Sequence, residues 1–175
     1  AHLSPIMKQE GDTKRKLSKR KDPEAAMSYY AELGIPTEAV HLYLMTIANT
    51  NFEQWYDQNK DKTLDEFKFD FKKISSSGAL FDLEKLVNIS RNYISYLKSE
   101  DVYDRVLSWA NVYDKEFYEL LTKYKDYTIN LFSIERYQKK PRKDFESWSM
   151  VKSNIWYMYD ELFNDVNYDF DKIND

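Results

Sequence analysis

Residues 99–124 read SEDVYDRVLSWANVYDKEFYELLTKY. Ser99-Glu100-Asp101 opens the stretch with acid where a helix N-terminus favours it, and Val102, Val106, Trp109 and Tyr113 then fall on one face. Phe117, Leu120, Leu121 and Tyr124 repeat that period. Such a pattern specifies amphipathic helices packed on a shared core.

The neighbouring segments agree. Upstream, Asp82 is placed to cap a helix that runs through Leu86 and Ile89. Asp22-Pro23-Glu24 predicts a further helix start, with Asp22 as N-cap and Pro23 at the first helical position, and Gly34 stops that helix. Pro36 and Thr37 begin the next, whose Val40, Leu42, Leu44, Met45 and Ile47 leave almost no polar face and predict burial on several sides. Downstream, Ser149 predicts a final long helix with a stripe of Val151, Ile155, Met158, Tyr159, Leu162 and Phe163. Residues 63–74 read as short alternating segments, and Ser75-Ser76-Ser77-Gly78 as a linker. Residues 1–21 are polar, basic and aperiodic, which predicts a loop with room for a short strand around Leu3–Met7. The expected fold is all-α: helical bundle or cage subdomains, 1–75 and 76–175, after a short N-terminal loop region.

Composition narrows the chemistry. Aromatic residues make up 17% of the chain, too many for a disordered protein, and three Gly with four Pro are too few for a turn-rich barrel or sandwich. With no Cys there is no disulfide framework or thiolate chemistry. His2 and His41 stand far apart, which disfavours a histidine metal site or a Ser–His–Asp triad, so no metal ligands are expected. Acid pairs such as Asp65-Glu66 and Asp160-Glu161 are sequence neighbours that diverge on a helix and form no hydrolase dyad. No apolar run approaches the roughly 20 residues of a membrane span, and no secretory signal opens the chain. Ala1 in place of Met is the start expected of a processed or cut polypeptide.

Net charge is −4, but its distribution is uneven. Lys8, Lys14, Arg15, Lys16, Lys19, Arg20 and Lys21 face only Glu10 and Asp12 in the same stretch. A second basic cluster comprises Arg136 and Lys139-Lys140-Pro141-Arg142-Lys143, whereas Asp160–Asp175 is acidic. Contact with nucleic acid would therefore use local basic patches on an acidic body. The Lys139–Lys143 run reads slightly better as an ordinary exposed loop. The many Tyr, Phe and Trp invite a base-stacking role, but most lie on helical core stripes.

One segment carries a chemical signature: Lys16-Leu17-Ser18-Lys19-Arg20 resembles the K-M-S-K-S loop of class I aminoacyl-tRNA synthetases. Its surroundings are similar to glutamyl-tRNA synthetases of the bacterial or organellar type. The similar segments are His2-Leu3-Ser4-Pro5-Ile6-Met7, Asp22-Pro23-Glu24-Ala25, Tyr29-Tyr30 and Gly34-Ile35-Pro36-Thr37-Glu38-Ala39, followed by Ser77-Gly78-Ala79-Leu80-Phe81-Asp82-Leu83-Glu84-Lys85-Leu86. That family commonly has Leu or Ile for the motif's Met and Arg for its last Ser. The resemblance covers residues 1 to about 100 well and the rest loosely.

The resemblance implies an ATP-dependent ligase that charges tRNA with glutamate in the cytoplasm, using ATP with Mg. In such enzymes the amino-acid carboxylate attacks the α-phosphate and pyrophosphate leaves. Fixed positive charge stabilises the negative charge that spreads over the phosphates. By the family pattern Lys16 and Lys19 are the catalytic pair, Lys16 through Arg20 form the ATP-binding loop, and Ser18 holds its closed form. Arg91 and Asn92, read as lying just after a helix, are the implied tRNA contacts.

The family's H-I-G-H turn is absent, and fifteen residues before the motif cannot build a Rossmann-type fold. The expectation is thus a tRNA-binding piece, monomeric and without a membrane partner, that meets ATP and glutamate only through a catalytic domain not in this sequence. Alone it is expected to be inactive, with no cofactor, and with a mobile Gly11–Lys21 loop. The alternatives are a non-catalytic helical interaction domain with a basic arm, or a relative specific for another amino acid. A helical tail disfavours the glutaminyl enzymes, which use β-barrels there.

Overall fold

The computed structural model describes residues 4–60, 62–74 and 78–163. The Ser75–Ser77 part of the linker reading, His2, Leu3 and most of the acidic tail lie outside the described residues.

The opening segment is not a loop. Ile6–Glu10 (β1) and Thr13–Lys16 (β2) form an antiparallel hairpin in which Met7 faces Lys16 and Glu10 faces Thr13. Gly11-Asp12 is the two-residue connection, and Gly11 sits at φ 58°, where a tight hairpin turn favours glycine. Ala79–Leu80 (β3) joins β1 in parallel, giving the order β2-β1-β3. The all-α expectation is corrected accordingly: the protein is helix-dominated with a small three-stranded sheet.

Among the described residues the helices are Met27–Leu33 (α1), Thr37–Ala48 (α2), Phe52–Gln58 (α3), Leu83–Ser95 (α4), Ser99–Tyr113 (α5), Lys115–Lys123 (α6), Lys125–Ser133 (α7), Val151–Ile155 (α8) and Asp160–Phe163 (α9). Gly34 ends α1 in the left-handed region at φ 72°. The Asp82 carboxylate accepts from the Lys85 amide at 2.9 Å and caps α4 as its position in the sequence implies. Residues 63–74 hold two 3-10 turns, Leu64–Glu66 and Phe71–Lys73. In α2, Val40 and Leu42 are buried and Leu44 is exposed, so the expected all-round burial holds only in part.

The predicted single helix from Ser149 is broken. A 3-10 turn at Trp148–Met150 precedes α8, and another at Trp156–Met158 separates α8 from α9. Tertiary bonds account for the start: the Ser149 hydroxyl donates to the Leu33 carbonyl at 2.7 Å, and the Trp148 amide donates to the Gly34 carbonyl at 2.8 Å. Ser149 therefore satisfies the end of α1 rather than opening its own helix.

Two cores result. Tyr30, Ile35, Ala39, Val40, Tyr43 and Leu86 form one, and a larger one runs from Ile94 to Tyr159 through Val102, Val106, Phe117, Leu121 and Val151. Each fully buried Val, Leu or Phe contributes about 1.5–3 kcal/mol. Helix α4 has residues in both cores, and α5 ties them together. Arg105 grips Glu38 of α2 through two bonds of 2.7 and 3.1 Å, and Trp109 Nε1 donates to the Glu32 carbonyl at 3.0 Å. The Tyr43 hydroxyl accepts from the Asp82 amide at 2.7 Å, fixing the start of α4 against α2.

Candidate phosphate loop and its anchoring

The hairpin delivers the signature segment. Strand β2 ends at Lys16, and the Leu17 amide donates to the Ile6 carbonyl at 2.8 Å, extending the ladder by one residue. The Leu17 side chain is half-buried and lines a cleft of about 290 Å³ with Tyr30, Val40, Tyr43 and Phe81. Lys16 and Lys19 line the same cleft. The chain then turns at once: the Lys21 and Asp22 amides both donate to the Ser18 carbonyl, at 3.0 and 2.8 Å.

Asp22 holds this turn. Its side chain is only 1% exposed. Arg15 donates to both of its oxygens, Nη1 to Oδ2 at 2.6 Å and Nη2 to Oδ1 at 2.7 Å. The Ser18 amide donates to Oδ2 at 2.9 Å, and Lys8 Nζ stands 3.1 Å from Oδ1. Lys8 also pairs with Glu24, and Arg15 Nε donates to Glu10 at 2.7 Å. Arg15 foremost, then the Ser18 amide and Lys8, hold the Asp22 carboxyl well below the usual carboxylate range against the opposing effect of burial.

Two expectations are corrected here. Asp22 occupies the N-cap position of the Pro23–Ala25 3-10 turn, but its carboxylate makes no capping bond. A bidentate, charge-assisted pair with Arg15 is stronger than a neutral cap, and Pro23 has no amide to offer. The Gly11–Lys21 segment, expected as a loop, includes strand β2, an apolar anchor in Leu17 and a charged one in Asp22.

The remaining cations point elsewhere. Lys14, Lys16, Lys19, Arg20 and Lys21 are exposed, and none forms an ion pair among the described residues. Ser18 is half-buried, its amide already committed to Asp22. Of these five cations, Lys16 and Lys19 line the cleft, together with Glu24 and a largely apolar wall.

Arg91 and Asn92 are not beyond a helix but inside α4, because the stripe of Leu86, Ser90 and Ile94 continues to Ser95. Arg91 pairs with Glu146 and donates to Asn88 at 3.3 Å. Asn92 is exposed and lines a shallow cleft with Glu53, Lys85 and Asn88. The structure does not bring this pair to the signature loop's cleft.

The downstream basic cluster divides. Arg136 is structural: Nε donates to the Phe132 carbonyl at 2.7 Å, and Nη1 to those of Ile94 and Leu97 at 2.8 and 3.1 Å. It thereby caps the C-terminal ends of α7 and α4, where a cation is favoured. Arg142 faces Asp144 at 3.0 Å and Glu135 at 3.5 Å. Lys139, Lys140 and Lys143 are exposed and make no ion pair among the described residues. Also among the described residues, no group of three or more His, Cys, Asp or Glu side chains is placed to hold a metal, and no helix is long and apolar enough to cross a membrane.

Sequence reasoning missed the part Asp22 plays. Its signal was an acid six residues after the motif's first Lys, preceded by an Arg in the strand.

No protein-family model matches the chain, and no solved structure matches it. Among curated proteins it is 48% identical over 164 residues to a glutamate–tRNA ligase of Clostridium perfringens, which is 94% of this chain and 30% of that protein. A glutamate–tRNA ligase of Clostridium beijerinckii is 46% identical over 163 residues, covering 93% and 30%. One from Sorangium cellulosum is 39% identical over 181 residues, covering 95% and 32%. The chain thus spans about 30% of the length of the relatives it matches, and the likeness extends well beyond residue 100, where it was expected to loosen. Sustained over nearly its whole length, this identity makes the chain similar to one segment of glutamate–tRNA ligases.

Proposed function

We propose that the chain is the phosphate-loop and tRNA-side part of an ATP-dependent ligase that charges tRNA with glutamate. The observation that carries this reading is the presentation of Lys16 and Lys19 on one cleft, with no ion pair among the described residues, from a turn anchored at its base. Charge held in that way need not reorganise when negative charge develops on a transferring phosphate. Lys16 and Lys19 act on the phosphates of ATP, Leu17 seats the loop, and Ser18 and Arg20 complete the binding segment. Magnesium accompanies ATP; the contribution of this chain is positive charge rather than metal ligands.

Arg91 and Asn92 on α4 are proposed tRNA contacts, with Arg91 exchanging Glu146 for a phosphate on binding. The chain divides into a signature-loop and stem-contact part, 1–75, and a helical tRNA-side part, 76–175, with α4 as their shared wall. Glutamate and ATP are met together with a catalytic domain, in the cytoplasm, and the chain acts as a monomer.

A segment exchange tests the reading. The Clostridium perfringens ligase with its matching segment replaced by this chain should charge tRNA with glutamate. A folded chimera that charges no tRNA would overturn it.

A further inference from the structure

The seven basic residues between Lys8 and Lys21 are sorted by a single buried carboxylate. Asp22 draws in Arg15 through both guanidinium nitrogens, Lys8 through its ammonium and Ser18 through its amide, at 2.6 to 3.1 Å. Lys14, Lys16, Lys19, Arg20 and Lys21 stay outside this network and exposed. The sorting follows from reach. Arg15 lies on β2 one residue before Lys16, so alternation along the strand sends their side chains to opposite faces. Pulling Arg15 onto Asp22 therefore fixes the face on which Lys16 emerges. Bonding the Ser18 amide to the same carboxylate fixes the turn that carries Lys19. Lys16 and Lys19 both line the cleft that Leu17 enters.

We propose that Asp22 is a positioning residue for polyphosphate binding, holding Arg15 and Ser18 so that Lys16 and Lys19 converge on a single anion. This rests on the reading of the loop as a phosphate binder. It assigns Asp22 no contact with the nucleotide; Asp22 acts through the two lysines.

The inference makes a prediction opposite in sign to simple electrostatics. Removing a carboxylate beside a phosphate site should tighten anion binding if charge alone matters. If Asp22 positions the lysines, Asp22→Asn should weaken binding although the chain becomes more positive. Arg15→Lys supplies a second variant with no change of net charge and little risk to folding. A lysine cannot reproduce the two-pronged grip on Asp22, so it too should weaken binding.

The experiment is titration of the 175-residue chain with inorganic tripolyphosphate at low salt, followed by amide NMR. Lys19→Glu serves as the control for the loop itself, and the α2 and α5 amides report the fold. The expected result is that Asp22→Asn and Arg15→Lys each weaken binding about three-fold or more, with the α2 and α5 signals unmoved. If Lys19→Glu abolishes binding but both other variants leave it unchanged or tighter, the Asp22 inference is overturned and the loop assignment stands. Absence of binding, or binding indifferent to Lys19→Glu, overturns the loop assignment and this inference with it. Should Asp22→Asn unfold the chain, Arg15→Lys alone decides.

Discussion

The Ser18 amide donates to the Asp22 carboxylate at 2.9 Å while the Asp22 amide donates to the Ser18 carbonyl at 2.8 Å. Each residue satisfies the other, so the signature turn closes on itself before any ligand arrives. With the Asp22 carboxyl held below its ordinary range, its contribution is present above the unfolded value of about 3.9 and is lost only as pH falls through the lower folded value. Ser18 amide protection should therefore persist from neutrality to about pH 3 and fail only in stronger acid. Hydrogen exchange or amide NMR across an acid titration checks this; loss of protection centred on the ordinary carboxylate value would contradict it.

Gly34 couples the end of α1 to the Trp148 turn. A Cβ added there would stand 2.7 Å from Trp148 Cβ and 2.9 Å from its amide nitrogen, on a backbone already at φ +72°. Left-handed strain and overpacking together give an expected cost of about 3 kcal/mol for Gly34→Ala. Urea denaturation of the variant measures it, and a loss below about 1 kcal/mol would mean that the Trp148 turn yields easily.

Arg136 bonds four carbonyls, those of Phe132, Ile94, Ser95 and Leu97, and has no carboxylate within ion-pair distance among the described residues. Burial pushes its guanidinium pKa down, yet an arginine stays charged. Arg136→Gln should cost about 2–4 kcal/mol, because buried carbonyls of α4 and α7 lose their donor. Arg136→Lys should recover little, since an ammonium cannot reach both ends. Full recovery with lysine would show that charge alone, without the fork, satisfies the two helices.

These residues mark where reading the sequence succeeds and where it stops. Asp82 as a cap, Gly34 as a stop and the Val102 and Val106 part of the α5 stripe are local signals, settled within a few residues, and they were legible; Tyr113, read on that stripe, is exposed, and Tyr103 and Ala110 complete the buried face. The hairpin was not, because four- and five-residue strands rich in Lys and Gln resemble a loop; only the Gly11-Asp12 spacing between them hinted at a turn. The break after Trp148 depends on bonds to Leu33 and Gly34, more than a hundred residues away. Arg136 looked like one more surface cation because its carbonyl partners in and just after α4 lie about forty residues upstream. In the candidate site, the motif singles out Lys16 and Lys19, and both line one cleft. Asp22 was read for its local capping role, and the Arg15 pair that redirects it comes from strand pairing.

Arg91 is neutralised by Glu146 in this structure, so releasing it should matter for RNA. Arg91→Glu should weaken tRNA binding at low salt, and Glu146→Gln should tighten it by freeing the guanidinium. The proposed contact neutralises few phosphates, so the salt dependence should be shallow, each contact contributing about 0.7–0.9 to the logarithmic slope. Fluorescence titration of the two variants checks the pair. Equal effects of opposite-sign charge changes at Arg91 and at Asp160, in the acidic tail, would leave only non-specific attraction.

The most direct test of the phosphate-loop reading is glutamate-dependent ATP–pyrophosphate exchange in the Clostridium perfringens ligase carrying this chain in place of its own segment. Lys19→Ala in that chimera should lower exchange by about 100-fold or more, as loss of a preorganised charge at a transition state does. Lys14→Ala, at an exposed lysine of the same hairpin outside the cleft, should change it less than about two-fold. Equal losses for Lys14 and Lys19, or an undiminished rate for Lys19→Ala, would contradict the assignment.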